Sequence, residues 1–149
     1  MPPPELELRE FPGDGAAAAA LLPPLTPENA PYWDGLAARR LLLQRCAGCD
    51  RARFPIAPVC PYCGASGSAW REHDGACEVH SWVRYRRAYL PAFAELMPYD
   101  VLCVQLHGGP RLFGRLADAG LEPQIGMAVQ AIVERLAPGG GCVLAFRGR

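Results

Sequence analysis

Cys46-Ala47-Gly48-Cys49, ten further residues and then Cys60-Pro61-Tyr62-Cys63 form the stretch that decides how this chain folds. Each Cys-x-x-Cys pair can turn tightly round one side of a tetrahedral ion. Two pairs supply the four thiolates such an ion takes, with Zn–S bonds of about 2.3 Å. The spacer is long enough for one short hairpin, so the unit reads as a zinc ribbon. Asp50 and Gly64 each follow the second cysteine of a pair, where a knuckle needs a residue that tolerates positive φ. A rubredoxin-type iron site uses the same geometry, and two disulfides would use the same cysteines. Four thiolates leave no open position for water or substrate, so the expected ion is a structural zinc, not a catalytic one.

The rest of the chain bears on that choice. Its start is acidic and proline-rich, and Ala16 to Leu22 is too short and lacks a flanking positive charge for a secretory signal. No apolar run approaches the ~20 residues of a membrane span. A reducing cytoplasm is therefore the expected compartment, with no membrane contact, and there clustered cysteines favour metal over disulfide. Cys77, Cys103 and Cys142 stand singly and read as small buried hydrophobes.

With 149 residues, half of them hydrophobic, the chain suits one domain, or one domain plus a small satellite, and can build a packed core. A ribbon this small cannot supply that core and would depend on its metal to fold. The core must lie in the C-terminal half. Net charge is zero, but the first 30 residues hold five acids against Arg9 alone, while residues 31–90 hold nine arginines against five acids. Every basic residue is Arg, which removes the flexible point charges that nonspecific nucleic-acid binders commonly use.

Three regions follow. Residues 1–25 show no sustained periodicity and read as an extended or disordered arm that lies along a partner. Residues 26–72 hold a helix and the ribbon. Thr26-Pro27-Glu28-Asn29 offers a helix start, and Trp33, Leu36 and Ala37 share one helical face. Trp33 and Leu36 would anchor that helix on the chain's own ribbon or dock it on a partner. Leu41–Arg45 leads into the first knuckle as a strand, Arg51–Pro55 returns antiparallel to it, and residues 65–68 read as a loop.

Residues 73–149 change to a period of two. From Gly75, Cys77, Val79, Ser81, Val83 and Tyr85 point one way. Asp100–His107 places Leu102, Val104 and Leu106 on one face. Arg111–Leu116 turns Leu112 and Leu116 inward and Arg111, Phe113 and Arg115 outward. Ile125–Leu136 and Gly141–Arg147 complete five strands, with a short helix near Phe93 and Leu96. The fold class is therefore mostly β: an N-terminal helix and rubredoxin-like ribbon, then a five-stranded OB-fold barrel, whose second and third strands form the usual ligand face.

Catalytic chemistry is not evident. His73, His80 and His107 are dispersed, no Gly-x-Ser-x-Gly or phosphate-binding glycine loop occurs, and Cys77 and His80 point to opposite faces of a strand. What remains is Arg84, Tyr85, Arg86, Arg87 and Tyr89 after the first barrel strand, with Arg111-x-Phe113-x-Arg115 on the third. Arginine forks beside aromatic rings suit a phosphate, an adenine or a protein interface. The same set would suit a single-stranded nucleic-acid module, although neutral charge and sparse strand aromatics oppose it. An autonomous thioester hydrolase is opposed by the lack of a nucleophile or paired acid.

Several phrases complete the reading: Tyr32-Trp33-Asp34-Gly35-Leu36, Leu43-Gln44-Arg45-Cys46, His80-Ser81-Trp82, Pro98-Tyr99-Asp100-Val101, Phe113-Gly114-Arg115-Leu116, Ile125-Gly126-Met127-Ala128-Val129 and Ala145-Phe146-Arg147. Their order resembles the bacterial and archaeal zinc-ribbon/OB-fold proteins that accompany thiolase-family enzymes, a domain family of unknown function. The resemblance covers about residues 29–147. It implies a non-catalytic, cytoplasmic accessory subunit in acyl-CoA metabolism, in hetero-oligomers with thiolases, thiolase-like acyltransferases or aldolases, and related to chains fused to MaoC-type hydratases. Carried over, Cys46, Cys49, Cys60 and Cys63 are the zinc ligands. Arg84, Arg86, Arg87, Tyr89 and Phe113 would face the acyl-CoA or the partner, and Trp33 and Leu36 would help dock it.

Overall fold

The computed structural model describes all residues, 1–149. In chain order the elements are β1 (Leu8–Glu10), α1 (Gly15–Ala19), α2 (Ala30–Ala37), β2 (Leu41–Cys46), β3 (Ala52–Arg53), β4 (Ser68–His73), β5 (Ala76–Tyr85), β6 (Tyr99–Leu106), β7 (Arg111–Leu116), β8 (Ala128–Arg135) and β9 (Cys142–Gly148), with a 3-10 turn at Pro91–Leu96. The five expected barrel strands are β5 to β9, and they close through pairing of β8 with β9 and of β9 with β7. No helix is long and apolar enough to cross a membrane.

Alternation builds the barrel interior. Leu102, Val104 and Leu106 on β6, Leu112 and Leu116 on β7, and Val129, Ala131 and Val133 on β8 are buried together with Phe146. Each large side chain so enclosed contributes about 1.5–3 kcal/mol through removal of its apolar surface from water. On β7, a Cβ at Gly114 would come 2.7 Å from the Phe146 ring, so that position is closed to other residues while Phe146 keeps its place.

The expected period of two fails partway along β5. A bulge between Val79 and Ser81 shifts the register against β6. Adding one residue to a strand turns every later side chain to the opposite face. Val79 is therefore buried, but Trp82 packs against the core and Val83 is 54% exposed, the reverse of the expected inward set.

The ribbon contains a strand that local pattern did not show. β4 runs antiparallel to the whole of β2, from Leu41 opposite His73 to Cys46 opposite Ser68, and β3 pairs on the other edge at Gln44 and Arg45. Four of the six β4 residues are polar or charged, and their register is set by β2 rather than by a burial pattern of their own. On α2 the buried face is Tyr32, Gly35 and Leu36 rather than Trp33, Leu36 and Ala37. Tyr32, Leu36, Leu41 and Leu43 join the barrel's core cluster, so the helix and the first ribbon strand share that core.

Residues 1–25 are not a free arm. β1 pairs parallel with Val133–Arg135 of β8, along the part of that edge beyond the short pairing of β8 with β5 at residues 128–130. The added strand covers backbone groups that an exposed edge would leave unpaired. Leu6 enters the barrel core, and Phe11 and Ala18 are buried beside Ala92 and Leu136. The acids that set this segment apart find their counterions within the chain: Glu5 with Arg39, Glu7 with Arg147 and Glu10 with Arg135. α1 lies so close to the barrel that a Cβ at Gly15 would fall 1.5 Å from the Leu136 carbonyl oxygen.

Candidate metal centre

The first knuckle sits at the end of β2 and the second in the connection between β3 and β4, and at each the chain must reverse within a few residues. Asp50 at φ 61° and Gly64 at φ 79° make those reversals, as the spacing led one to expect. The Asp50 amide donates to the Cys46 carbonyl and the Gly64 amide to the Cys60 carbonyl, which closes both turns on the same plan. All four Sγ atoms lie within 4.8 Å of one another, with Cys46 to Cys63 at 3.5 Å and Cys49 to Cys60 at 3.8 Å. A tetrahedron with Zn–S bonds of about 2.3 Å has edges of about 3.8 Å, so the donor set fits zinc in both type and spacing.

The electrostatics agree. The Cys49 amide, together with that of Gly48, draws the Cys46 thiol down to about 6, which favours the thiolate that a metal requires. At Cys60, burial opposes ionisation, but the Tyr62 and Cys63 amides more than offset it. The Ala65 amide acts in the same sense on Cys63, yet the neighbouring sulfurs push that thiol up to about 11. Four thiolates so close repel one another, and a dication among them resolves that conflict. Zinc bound here would stitch β2 to the knuckle after β3, with no coordination position left for chemistry.

The other singled-out residues fall into two groups. Arg84 is committed internally: Nε and Nη2 donate to both Asp100 carboxylate oxygens at 2.8 and 3.0 Å, and Nη2 also donates to Glu122 at 2.8 Å. Those bonds hold its pKa above the ordinary guanidinium value. Leu36 is fully buried in the chain's own core, on the α2 face it shares with Tyr32 and Gly35, so it has no surface to offer a partner. By contrast Arg86 and Arg87 are exposed and carry no ion pair, Arg87 lies 5.6 Å over the Tyr89 ring, and Tyr89 and Phe113 are 71% and 69% exposed. Trp33 is half-buried against the core.

The Arg111-x-Phe113-x-Arg115 pattern is broken in space. Arg115 forms an ion pair with Glu134, whose side chain is only 3% exposed, so just one of the two arginines faces outward beside Phe113. None of the histidines meets a nucleophile. The His73 ring lies 2.8 Å from the His107 carbonyl oxygen and accepts a hydrogen bond from the Gly75 amide. Burial pushes the Cys77 thiol up to about 12.

Sequence reading missed an aromatic ladder at one end of the barrel. Phe11 meets Phe93 at 5.8 Å, Phe93 stacks on Tyr99 at 5.2 Å, Tyr99 on Tyr85 at 5.1 Å, and Tyr85 meets Tyr89 edge-on at 6.5 Å. The ladder borders a half-open cavity of about 630 Å3 formed by the N-terminal segment, the loop after β5 and the outer face of β7 and β9. Aromatic residues in a turn-rich loop were the only local signal. Their meeting with Phe11 is a consequence of tertiary structure alone.

Comparison with known proteins gives concordant matches. Residues 33–68 match the family described as ChsH2, rubredoxin-like zinc ribbon domain, and residues 70–134 match ChsH2, C-terminal OB-fold domain. The chain is similar to the solved "Ltp2-ChsH2(DUF35) aldolase", with 34% identity, a TM-score of 0.75 and coverage of 85% of this chain and 98% of that one. A DUF35-family protein of unknown function from Sulfolobus solfataricus shares the fold at a TM-score of 0.61 and 15% identity, over 89% of this chain and 93% of that one. A probable enoyl-CoA hydratase alpha subunit of Thermomonospora curvata is 37% identical over 110 residues, 72% of this chain. The match spans 33% of that relative's length.

Proposed function

This chain belongs to the ChsH2-type (DUF35) family of zinc-ribbon/OB-fold proteins, and from that premise we propose that it is a non-catalytic accessory subunit of an acyl-CoA enzyme complex. The observation that carries the proposal is the match to the ChsH2 component of an aldolase along nearly the whole of that chain. The probable enoyl-CoA hydratase alpha subunit adds an acyl-CoA enzyme whose chain contains a segment of this kind. A thiolase-fold enzyme is the favoured partner, and a MaoC-type hydratase is the other.

The geometry supports a role without chemistry of its own. Four thiolates fill a tetrahedral zinc, the histidines are engaged with backbone or stand alone, and the lone Cys77 is held as a thiol. What the chain offers outward is a set of unpaired groups on one side of the barrel: Arg86, Arg87, Tyr89 and Phe113. Arginine with exposed aromatic rings is the composition of protein interfaces, and it also suits the phosphates and adenine of CoA. Zinc would hold the knuckles rigid beside the shared core, so that α2 and the barrel are presented in a fixed relation. The nucleic-acid reading loses support because Arg84 and Arg115, two of its five arginines, are neutralised by buried or half-buried acids.

Purification of the tagged chain from its native source tests this. The expected result is stoichiometric recovery of a thiolase-fold or hydratase-fold enzyme, with thioester activity that drops when this chain is removed and returns when it is added back. Recovery of the chain alone, or salt-sensitive binding of single-stranded DNA in its place, overturns the proposal.

A further inference from the structure

The four cysteines of the metal site are not equivalent. Cys46 and Cys60 are each 2% exposed and Cys49 is half-buried, whereas Cys63 lies open in an unbroken run of exposed residues from Pro61 to Gly64. The backbone also treats the sulfurs unequally. Cys46 takes hydrogen bonds from the Gly48 and Cys49 amides and Cys60 from those of Tyr62 and Cys63, but Cys63 takes one only, from Ala65. Each such bond draws electron density from a thiolate and makes it a weaker nucleophile. Of these three sulfurs, Cys63 therefore combines the greatest access with the fewest donors.

The edge of the cluster between Cys63 and Cys46 is uncovered. Their Sγ atoms are 3.5 Å apart, and the residue set against that edge is Gly48. A Cβ there would lie 3.3 Å from the Cys63 Sγ and 3.7 Å from the Cys46 Sγ, so its absence leaves both sulfurs without a covering side chain on that side. The other cysteines do not compete. Cys77 and Cys103 are buried, and burial holds the Cys142 thiol above its ordinary value, so it stays protonated at neutral pH. The thiolate, not the thiol, is the nucleophile.

We propose that Cys63 is a peroxide oxidation site that makes the metal centre a redox switch. The Cys63 thiolate attacks one oxygen of hydrogen peroxide: an S–O bond forms, the O–O bond breaks, and the other oxygen leaves as hydroxide and takes up a proton. The Cys46 thiolate then attacks the sulfenic sulfur: an S–S bond forms, the S–O bond breaks, and a second hydroxide leaves and becomes water. Two thiolates, one peroxide and two protons thus give one disulfide and two waters. Cys49 and Cys60 remain, and half of a tetrahedral donor set cannot hold a structural zinc. The knuckle cysteines lie outside both core clusters, so loss of the metal loosens residues 46–67 while the barrel stays folded. The switch does not rest on the accessory-subunit reading.

The test treats the zinc-loaded full chain with stoichiometric hydrogen peroxide at pH 7. Zinc is read with 4-(2-pyridylazo)resorcinol, sulfenic acid with dimedone, and disulfides by N-ethylmaleimide blocking and tryptic mass mapping. Dimedone should label Cys63 at least about tenfold more than Cys142, because a thiol above the ordinary value of about 8.5 is at most a few per cent ionised at that pH. About one zinc should leave per disulfide, and dithiothreitol with added zinc should restore the original content. Trypsin cuts after Arg51 and Arg53, so a Cys46–Cys63 disulfide joins two peptides where a bond within either knuckle joins none. Amide exchange should rise in residues 46–67 and stay slow in β5 to β9. Gly48→Ala combined with Ala65→Gly supplies the missing cover and removes the methyl it would strike at 2.9 Å. That variant should release zinc several-fold more slowly than the wild type.

The wild-type mapping decides the proposal without the variant. First labelling at Cys142 or Cys77, disulfides confined to Cys46–Cys49 and Cys60–Cys63, or zinc retained after the peroxide is consumed each overturns the switch, whatever enzyme co-purifies. Release at the wild-type rate from the covered variant overturns attack at the Gly48 edge.

Discussion

The knuckle region and the barrel hold themselves together by different physics, although they are one continuous chain. Between Ala47 and Gly67 only Arg53 and Cys60 are buried, and the apolar side chains that meet the core there, Ala52, Phe54 and Ile56, do so only in part. The barrel encloses Val79, Leu102, Val104, Leu106, Leu112, Val129, Val133 and Phe146 almost completely. One region has a four-cysteine metal site where the other has a core. The boundary does not fall between the ribbon and the barrel as sequence units, because Tyr32, Leu36, Leu41 and Leu43 belong to the barrel's core cluster. It falls within the ribbon, between the Ala52, Phe54 and Ile56 side chains, which still touch that cluster, and the two cysteine knuckles, which do not. The lesson is that a structural metal is needed only where the chain runs past the reach of the hydrophobic core.

The largest effects should separate the two regions. Cys60→Ser should abolish bound zinc, since a structural site of this type contributes on the order of 10 kcal/mol at neutral pH. Amide exchange should then accelerate through residues 46–67 while β5 to β9 stay protected. Phe146→Ala should do the opposite: the whole molecule loses about 3–5 kcal/mol in urea unfolding, while the native population still binds its zinc. A Cys60→Ser chain with full zinc content would refute the four-thiolate site. A Cys60→Ser chain whose barrel is also unprotected would erase the distinction between the regions.

A second comparison sharpens where the barrel ends. The N-terminal segment reads in sequence as an extended or disordered arm but supplies Leu6 to the core, where that side chain is 3% exposed. Leu6→Ala should cost about 2–3 kcal/mol, the lower part of the range for buried leucines, since the segment can relax around the loss. Gly15→Ala should act in the same direction by forcing α1 away from the Leu136 carbonyl. Urea midpoints unchanged in both variants would mean the segment stands off the barrel in solution.

What the sequence could and could not convey follows from the range of the interactions. The knuckles are local: the cysteine spacing, Asp50 and Gly64 act within a few residues, and all four sulfurs converge as their order suggests. Five barrel strands announce themselves through alternation, which needs only one buried face. β4 has no such face, because Ser68, Ala69 and Arg71 are exposed and its partner β2 dictates its path. β1 is three residues long and gains its meaning from β8, more than a hundred residues away. The bulge at His80 reversed the reading of Trp82 and Val83, and a single extra residue leaves no compositional mark. Arg84 looked free because its counterions lie 16 and 38 residues further on. Arg115 was misread for the same reason, with Glu134 a full strand away.

The smallest predicted effect concerns the contact that fastens the N-terminal strand to the barrel. Asp118 accepts from Arg9 at 2.8 Å and from the Gly148 amide at 2.8 Å. Partial burial would raise its carboxyl pKa, but those two bonds outweigh it and hold the group below 3.8. A carboxyl with a lowered folded-state value adds stability that is fully present above the unfolded value. That stability is lost as the pH falls through the folded one. Asp118→Asn should therefore destabilise the protein at pH 7 by on the order of 1 kcal/mol, discounted because both partners are about a third exposed. The gap between the two proteins should narrow as the pH falls below about 4, the unfolded carboxyl value. Acid also protonates thiolates and releases zinc, but it does so in both proteins, so the difference in urea midpoint at each pH isolates the carboxyl. A constant gap across that range would mean that Asp118 acts through shape and neutral hydrogen bonding, and that its charge contributes nothing to holding the strand.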